Sequence, residues 1–230
     1  MNFRHIAAVA LLLPAATVHA TNLLSNGSFE TTAGGILVNP TQGPDTNPSN
    51  GITSGQWAVF SSLLGWNTIS GKGIEVRNNV PNGYLAQEGS NFVELDSHPG
   101  PGANSAMAQS FSLGASSLLD LSFYYRARPG TSGDTNGIKV YFNNAPVSLA
   151  PPGLESGPLV STTWTKYTGQ VFGAVGTNTL VFEAVGKSDT LGGSLDNVSM
   201  TVVPEPQAYG IALAGMSIVA FAMRQRRRLD

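Results

Sequence analysis

Residues 118–128 read LLDLSFYYRAR, and from Leu119 to Arg126 the period of two is unbroken. Leu119, Leu121, Phe123 and Tyr125 fall on one side of an extended chain, with Asp120, Ser122, Tyr124 and Arg126 on the other. Successive side chains of a strand point to opposite faces, so only as a β-strand does this segment gain one dry face and one wet one. On a helix the same residues would scatter around the axis. The pattern recurs along the chain. GIEVRN sets Ile74 and Val76 opposite Glu75 and Arg77, and NFVELD sets Val93 and Leu95 opposite Phe92, Glu94 and Asp96. GIKVYFNN repeats it with Ile138, Val140 and Phe142, TNTLVFEAVG with Leu180 and Phe182, and SLDNVSMTVV with Val198, Met200 and Val202. Gly, Pro, Asn and Ser punctuate these segments, and nothing between residues 21 and 202 sustains a period of 3.6. The spacing predicts an all-β domain, a β-sandwich or jelly roll. Two stretches depart from it: 33–56, and 143–162 with its four prolines. Loops of that length in a small domain are functional or mobile.

Charge and cysteine content narrow the function classes. Residues 21–202 carry seven basic side chains against twelve acidic ones, which argues against a nucleic-acid partner, because phosphate binding needs a basic patch. Cysteine is absent, so no disulfide staples the fold and its core must hold it, with a metal as the one available covalent-like tie. His98 is the only histidine in this stretch, which excludes a His-cluster metal site.

Both ends read as targeting segments. MNFRHIAAVALLLPAATVHA has a short basic start, an apolar stretch and small residues at Val18 and Ala20, which predicts a signal peptide over residues 1–20 cut by signal peptidase after Ala20. At the other end, Val203, Pro204, Glu205 and Pro206 precede an uncharged run from Ala208 to Met223, and Arg224, Arg226, Arg227 and Arg228 follow it. As a helix that run is about 24 Å long, slightly short of a hydrocarbon core of about 30 Å. Positive flanks stay on the cytoplasmic side, so the chain is expected to be exported with its C-terminus caught in the membrane. This three-part tail, residues 203–230, resembles the PEP-CTERM sorting signal of Gram-negative bacteria that make exopolysaccharide and biofilm matrix. The resemblance implies a membrane-held precursor read by exosortase, removal of the tail, and a product at the cell surface or in the extracellular matrix. The logic parallels other discarded C-terminal signals.

A second resemblance covers residues 21–202. NLLSNGSFE (22–30), GW (65–66), GIEVRN, EGSNFVELD, AQSFSL, LDLSFYYRARPG and GGSLDNVSM (192–200) come in the order seen in galactose-binding-like β-sandwiches, which include DUF642-type proteins and several carbohydrate-binding modules. The resemblance implies a structural Ca²⁺ shared by Glu30 and Asp196, with Ser28 as a carbonyl donor. The chemistry suits a hard cation that takes several oxygens. The plainer reading is two strand-end carboxylates in water or capping turns. Asn26-Gly27 reads as a turn with positive φ.

Three further sets of residues bear on function. Trp57 beside the first long stretch, and Tyr84 in PNGYLAQ, are candidate platforms for a sugar ring, with Arg77 supplying polar contacts. Their alternative is anchoring of loops. Trp66 and Trp164 flank apolar segments and read as core or strand-edge residues. Glu94 and Asp96, two apart on one strand face, are the candidate carboxylate pair of a polysaccharide hydrolase. Equally, they are solubilising charges on an edge strand. His98 comes without a Gly-x-Ser-x-Gly motif, so no serine-hydrolase arrangement is expected. The leading expectation is a non-catalytic, surface-sorted protein, structural or carbohydrate-binding; the alternative is the hydrolase using Glu94 and Asp96.

Overall fold

The computed structural model of the chain describes residues 21–38, 52, 55–79, 84–98, 100, 102–155 and 159–204. The expected signal peptide with its break after Ala20, the tail residues Glu205 and Pro206, and the apolar run 208–223 lie outside the described residues. Among the described residues no helix is long and apolar enough to cross a membrane.

Among the described residues twelve strands follow one another: β1 (Ile36–Leu37), β2 (Trp57–Ser62), β3 (Asn67–Ser70), β4 (Ile74–Asn78), β5 (Asn91–Glu94), β6 (Ala106–Leu113), β7 (Ser117–Arg126), β8 (Gly137–Phe142), β9 (Ala145–Pro146), β10 (Thr165–Gly173), β11 (Gly176–Val185) and β12 (Ser194–Val202). A 3-10 turn, Gly133–Thr135, precedes β8. All pairings are antiparallel, in the order β10-β7-β12-β5-β4-β2-β3-β6-β11-β8-β9, with β1 on β2. Phe123 of β7 and Phe182 of β11 are far apart in that order, yet their rings meet edge to face with centroids 5.1 Å apart. The sheet therefore curls over and packs on itself as a sandwich.

The alternating residues fill the space between the two layers. Leu119, Leu121, Phe123, Val140, Leu180, Phe182 and Met200 are fully buried, as are Ile74, Val76 and Val93. Trp66, also fully buried, lies 5.8 Å from Phe29 and 6.0 Å from Phe182. Its indole N–H donates to the Asn26 carbonyl at 3.2 Å, satisfying the one polar atom it takes into the core.

Residues 22–30 run beside β12 and join the two ends of the domain. Leu23 N–H donates to Met200 O at 2.8 Å, Val198 N–H to Gly27 O at 2.9 Å, and the Asn22 side chain accepts from Met200 N–H at 2.9 Å. Asn26 supplies the expected positive φ of 51°, and Phe29 follows at 58°. The long stretch 143–162 holds more order than its composition suggested: it carries β9, buries Val147 and Leu154, and pairs Ala150 with Thr168. Stretch 33–56 contributes β1, and its residues 39–51, 53 and 54 lie outside the described ones.

Candidate functional site

The face of the β10-β7-β12-β5-β4-β2 layer turned away from the core is rich in polar side chains, with Val59, Trp57 and Phe92 among them. Register fixes which residues share it. Glu75 pairs with Val59 and Glu94, Glu94 with Ser194, and Ser194 with Arg126, so these side chains form one row across five strands. Trp57, Arg77 and Phe92 form the next row. Along β7 the same face carries Tyr124, Ser122 and Asp120.

At one end of this face the charges are buried. Glu75 and Glu94 are inaccessible to solvent. One Arg77 nitrogen, Nη1, reaches both, at 2.7 Å from Glu75 Oε1 and 3.4 Å from Glu94 Oε2. Arg128 Nη1 sits 2.9 Å from each Glu94 oxygen, and His98 approaches Glu75 Oε2 through both its backbone N–H (3.1 Å) and its ring Nδ1 (2.8 Å). Burial, and then the adjacent Glu75, raise Glu94 well above the usual carboxylate range, against the pull of Arg128 and Arg77. Burial opposes the charge on Arg77, yet Glu94 and Glu75 together lift it above its ordinary value.

The segment carrying Tyr84 lies over this floor. The Tyr84 hydroxyl is 2.7 Å from Ser194 Oγ, and its ring meets Phe92 edge to face at 5.0 Å. The Arg126 guanidinium is 4.5 Å from the centre of the Tyr84 ring and 4.4 Å from that of Trp164. Arg126 Nη2 and the Trp164 indole N–H both donate to Leu85 O, at 2.9 and 3.1 Å. Trp57 is half-buried and stacks on the His98 ring at 4.5 Å.

The sequence-derived candidates thus divide. Trp57, Tyr84 and Arg77 are brought to one face; all three are engaged in internal contacts, and the rings of Trp57 and Tyr84 both stay partly exposed. Glu94 and Asp96 do share a face as expected, yet β5 lies between β4 and β12, not at an edge, and both carboxylates are buried. Their partners differ. Glu94 is held by the arginines, whereas Asp96 Oδ2 accepts from the backbone N–H of Asp189 (3.0 Å) and Leu191 (3.1 Å). No acid–base pair presented to a substrate results. Arg126, Arg128 and Trp164 were not anticipated. Their signal was the unusual charge of Arg126 at the end of the strongest alternating strand, followed two residues later by Arg128.

Glu30 and Asp196 take hold of the same turn. Glu30 Oε1 accepts from Ser90 N–H (2.9 Å) and Asn91 N–H (2.7 Å). Asp196 Oδ2 accepts from Gln87 N–H (2.7 Å) and Glu88 N–H (3.0 Å), and its Oδ1 from Asn197 N–H (2.6 Å). Despite these amides, burial pushes Asp196 from its ordinary 3.8 up to about 7, and the negative charge of Glu30 adds to the rise. Burial and the Glu30 charge both disfavour a second negative charge there, and among the described residues no third Asp, Glu, His or Cys joins the pair. Ser28 lies two residues before Glu30, in the turn closed by the Phe29 N–H bond to Asn26 O.

Further along the face, between β12, β7 and β10, lies an open groove of about 760 Å³. Asp120, Ser122, Thr168, Gln170, Ser199 and Thr201 line its floor, with Lys166 at one side and Ser148, Leu149 and Ala150 as a wall. Gln170 Nε2 donates to Asp120 Oδ1 at 2.8 Å, which fixes both side chains on the groove floor.

No protein-family profile and no curated protein matches the chain. Similar solved structures include the CBM35 from Cellvibrio japonicus Abf62 (19% identity, TM-score 0.37, covering 56% of this chain and 85% of that one). A CBM35 from Paenibacillus barcinonensis is 24% identical with a TM-score of 0.38 over 60% of this chain and 94% of that one. The CBM22-1 xylan-binding domain from Paenibacillus barcinonensis Xyn10C is 15% identical, with a TM-score of 0.38 over 61% and 87%. Likenesses at this level carry no argument about ligand or activity.

Proposed function

We propose that the chain is a non-catalytic carbohydrate-binding protein, a galactose-binding-like jelly roll sorted through its PEP-CTERM-like tail by exosortase to the cell surface or exopolysaccharide matrix. The observation that carries the binding part is the open groove over β12, β7 and β10. Its five hydroxyls, one amide, one carboxylate and one ammonium suit a neutral polyhydroxylated ligand, which needs many modest hydrogen bonds. Trp57, on the same face, is the aromatic platform of an extended ligand, with Tyr84 and Arg77 fixing the floor beside it. The buried, arginine-held Glu94 supports binding over hydrolysis. A structural Ca²⁺ held by Glu30 and Asp196, with the Ser28 carbonyl, belongs to the same proposal. The tail rests on its sequence order alone.

Calorimetric titration of the full chain with purified bacterial exopolysaccharides tests the groove. Asp120→Ala and Gln170→Ala each remove one or more hydrogen bonds to the ligand and are expected to weaken binding about five- to tenfold. Trp57→Ala reports whether the ligand extends along the face. Unchanged affinity in both groove variants would move the site elsewhere, and absence of binding to every polysaccharide would leave a purely structural protein.

A further inference from the structure

Away from Glu30 and Asp196, three loops converge on a second cluster of oxygens. Asp96 and Asn104 are partners in an isolated antiparallel bridge, so their side chains leave the backbone on one side. Asp96 is 1% exposed; its Oδ1 is buried and accepts no hydrogen bond. Asn104 Oδ1 is likewise buried without a partner. The Asn104 amide is oriented correctly, because Nδ2 donates to Gly186 O at 3.0 Å and a flipped amide would set carbonyl against carbonyl. From the third loop comes Asp189, and from the 3-10 turn comes Thr135.

The imbalance there is one of acceptors over donors. The single hydroxyl proton of Thr135 faces three oxygens: Asp189 Oδ1 at 2.5 Å, Lys187 O at 3.0 Å and Asp96 Oδ2 at 3.4 Å. It satisfies one of them. Backbone N–H groups of Asp189 and Leu191 serve Asp96 Oδ2, and the exposed Lys187 ammonium touches Asp189 Oδ2 from outside at 3.2 Å, but none of these reaches the two orphaned oxygens. Buried oxygens without a donor are rare and costly.

We infer that Asp96, Asn104, Asp189 and Thr135 form a second Ca²⁺ site, tying together the loops that follow β5, β7 and β11. The donors are all oxygen, with two carboxylates to balance a divalent charge and no imidazole or thiolate, which suits a hard cation that accepts irregular coordination. A buried water with its two protons is the other occupant of such a place.

Calcium calorimetry on the EGTA-stripped full chain separates these. Asp189→Asn and Asn104→Ala, each at a partly exposed residue, are expected to keep the wild-type far-UV circular dichroism. Both are expected to weaken one Ca²⁺-binding event about tenfold or more, since affinity follows ligand charge and number. Asp196→Asn should leave that event intact. Absence of Ca²⁺ binding up to millimolar concentration, or unchanged affinity in either variant, overturns the inference in favour of a water. A loss confined to Asp196→Asn supports the Glu30–Asp196 position and equally overturns this one.

Discussion

Gly27 has no room for a side chain. A Cβ there would collide with the carbonyl oxygen of Val198, and backbone on both sides is fixed by the Val198 N–H bond to Gly27 O. Gly27→Ala is therefore expected to destabilise the domain by about 1–3 kcal/mol, read as a lowered urea midpoint, because the neighbour that must move is main chain. The motif Asn-Gly was legible as a turn, and Asn26 does hold positive φ; the close approach to Val198 was not, since it depends on a partner 171 positions away. Asp196 offers a second test at this scale. Its native carboxyl binds a proton up to about pH 7, whereas the unfolded chain releases it near 3.8, so the native state holds more protons between these values. Its contribution to stability is then greatest at low pH and declines as pH rises through that window, by about 1.4 kcal/mol per unit. In EGTA the melting temperature should fall from pH 4.5 to 7. Ca²⁺ should restore it, and Asp196→Asn should make the fall shallower without abolishing it, because Glu94 and Asp96 are raised in the same sense. An equal fall in the wild type and in Asp196→Asn would show that the amides alone compensate Asp196.

The strands themselves were the most readable elements. β4, β5, β7, β8, β11 and β12 all fall on the alternating segments, because a sandwich strand with one dry face writes its period into the sequence. The second face of β4 and β5 is not solvated as its charges suggested: Tyr84 covers Phe92, while Arg77, His98 and Arg128 close over Glu75 and Glu94, and no local pattern announces such cover from other parts of the chain. That segment is held by the Arg126 guanidinium between the rings of Tyr84 and Trp164. Arg126→Ala removes both ring contacts and a bond to Leu85 O, and is expected to cost about 2 kcal/mol, a fall of roughly 4–8 °C in melting temperature. Proteolytic nicking should appear first between residues 84 and 90. Lysine should not rescue it, because an ammonium lacks the planar group that stacks on both rings. The groove over β12, β7 and β10 was half legible: its Asp120 and Ser122 stood on the polar side of the strongest strand, while the wall at Ser148–Ala150 came from a proline-rich stretch that reads as plain loop.

At the scale of the whole chain, sorting and folding meet at Val203, whose N–H still donates to Leu118 O at 2.9 Å. Deleting residues 203–230 is expected to send the domain into the medium, and replacing Pro204-Glu205-Pro206 to leave an unprocessed, membrane-held form. Fractionating cells and medium with an internal tag checks both, and normal maturation of the motif mutant in an exosortase-positive strain would remove the sorting assignment. Residues 203–228 carry a linear pattern that can be read without any fold, whereas the groove cannot, because it is assembled from three strands and a loop. The chain reaches Val203 from β12, which is clamped along its length between β7 and, at its start, β5, with residues 22–30 latched beside it. A pull on the C-terminus therefore loads the β12–β7 hydrogen bonds side by side and all at once, where a pull on an edge strand would open them one after another. Resistance to force is a matter of how slowly such a strand lets go, not of equilibrium stability.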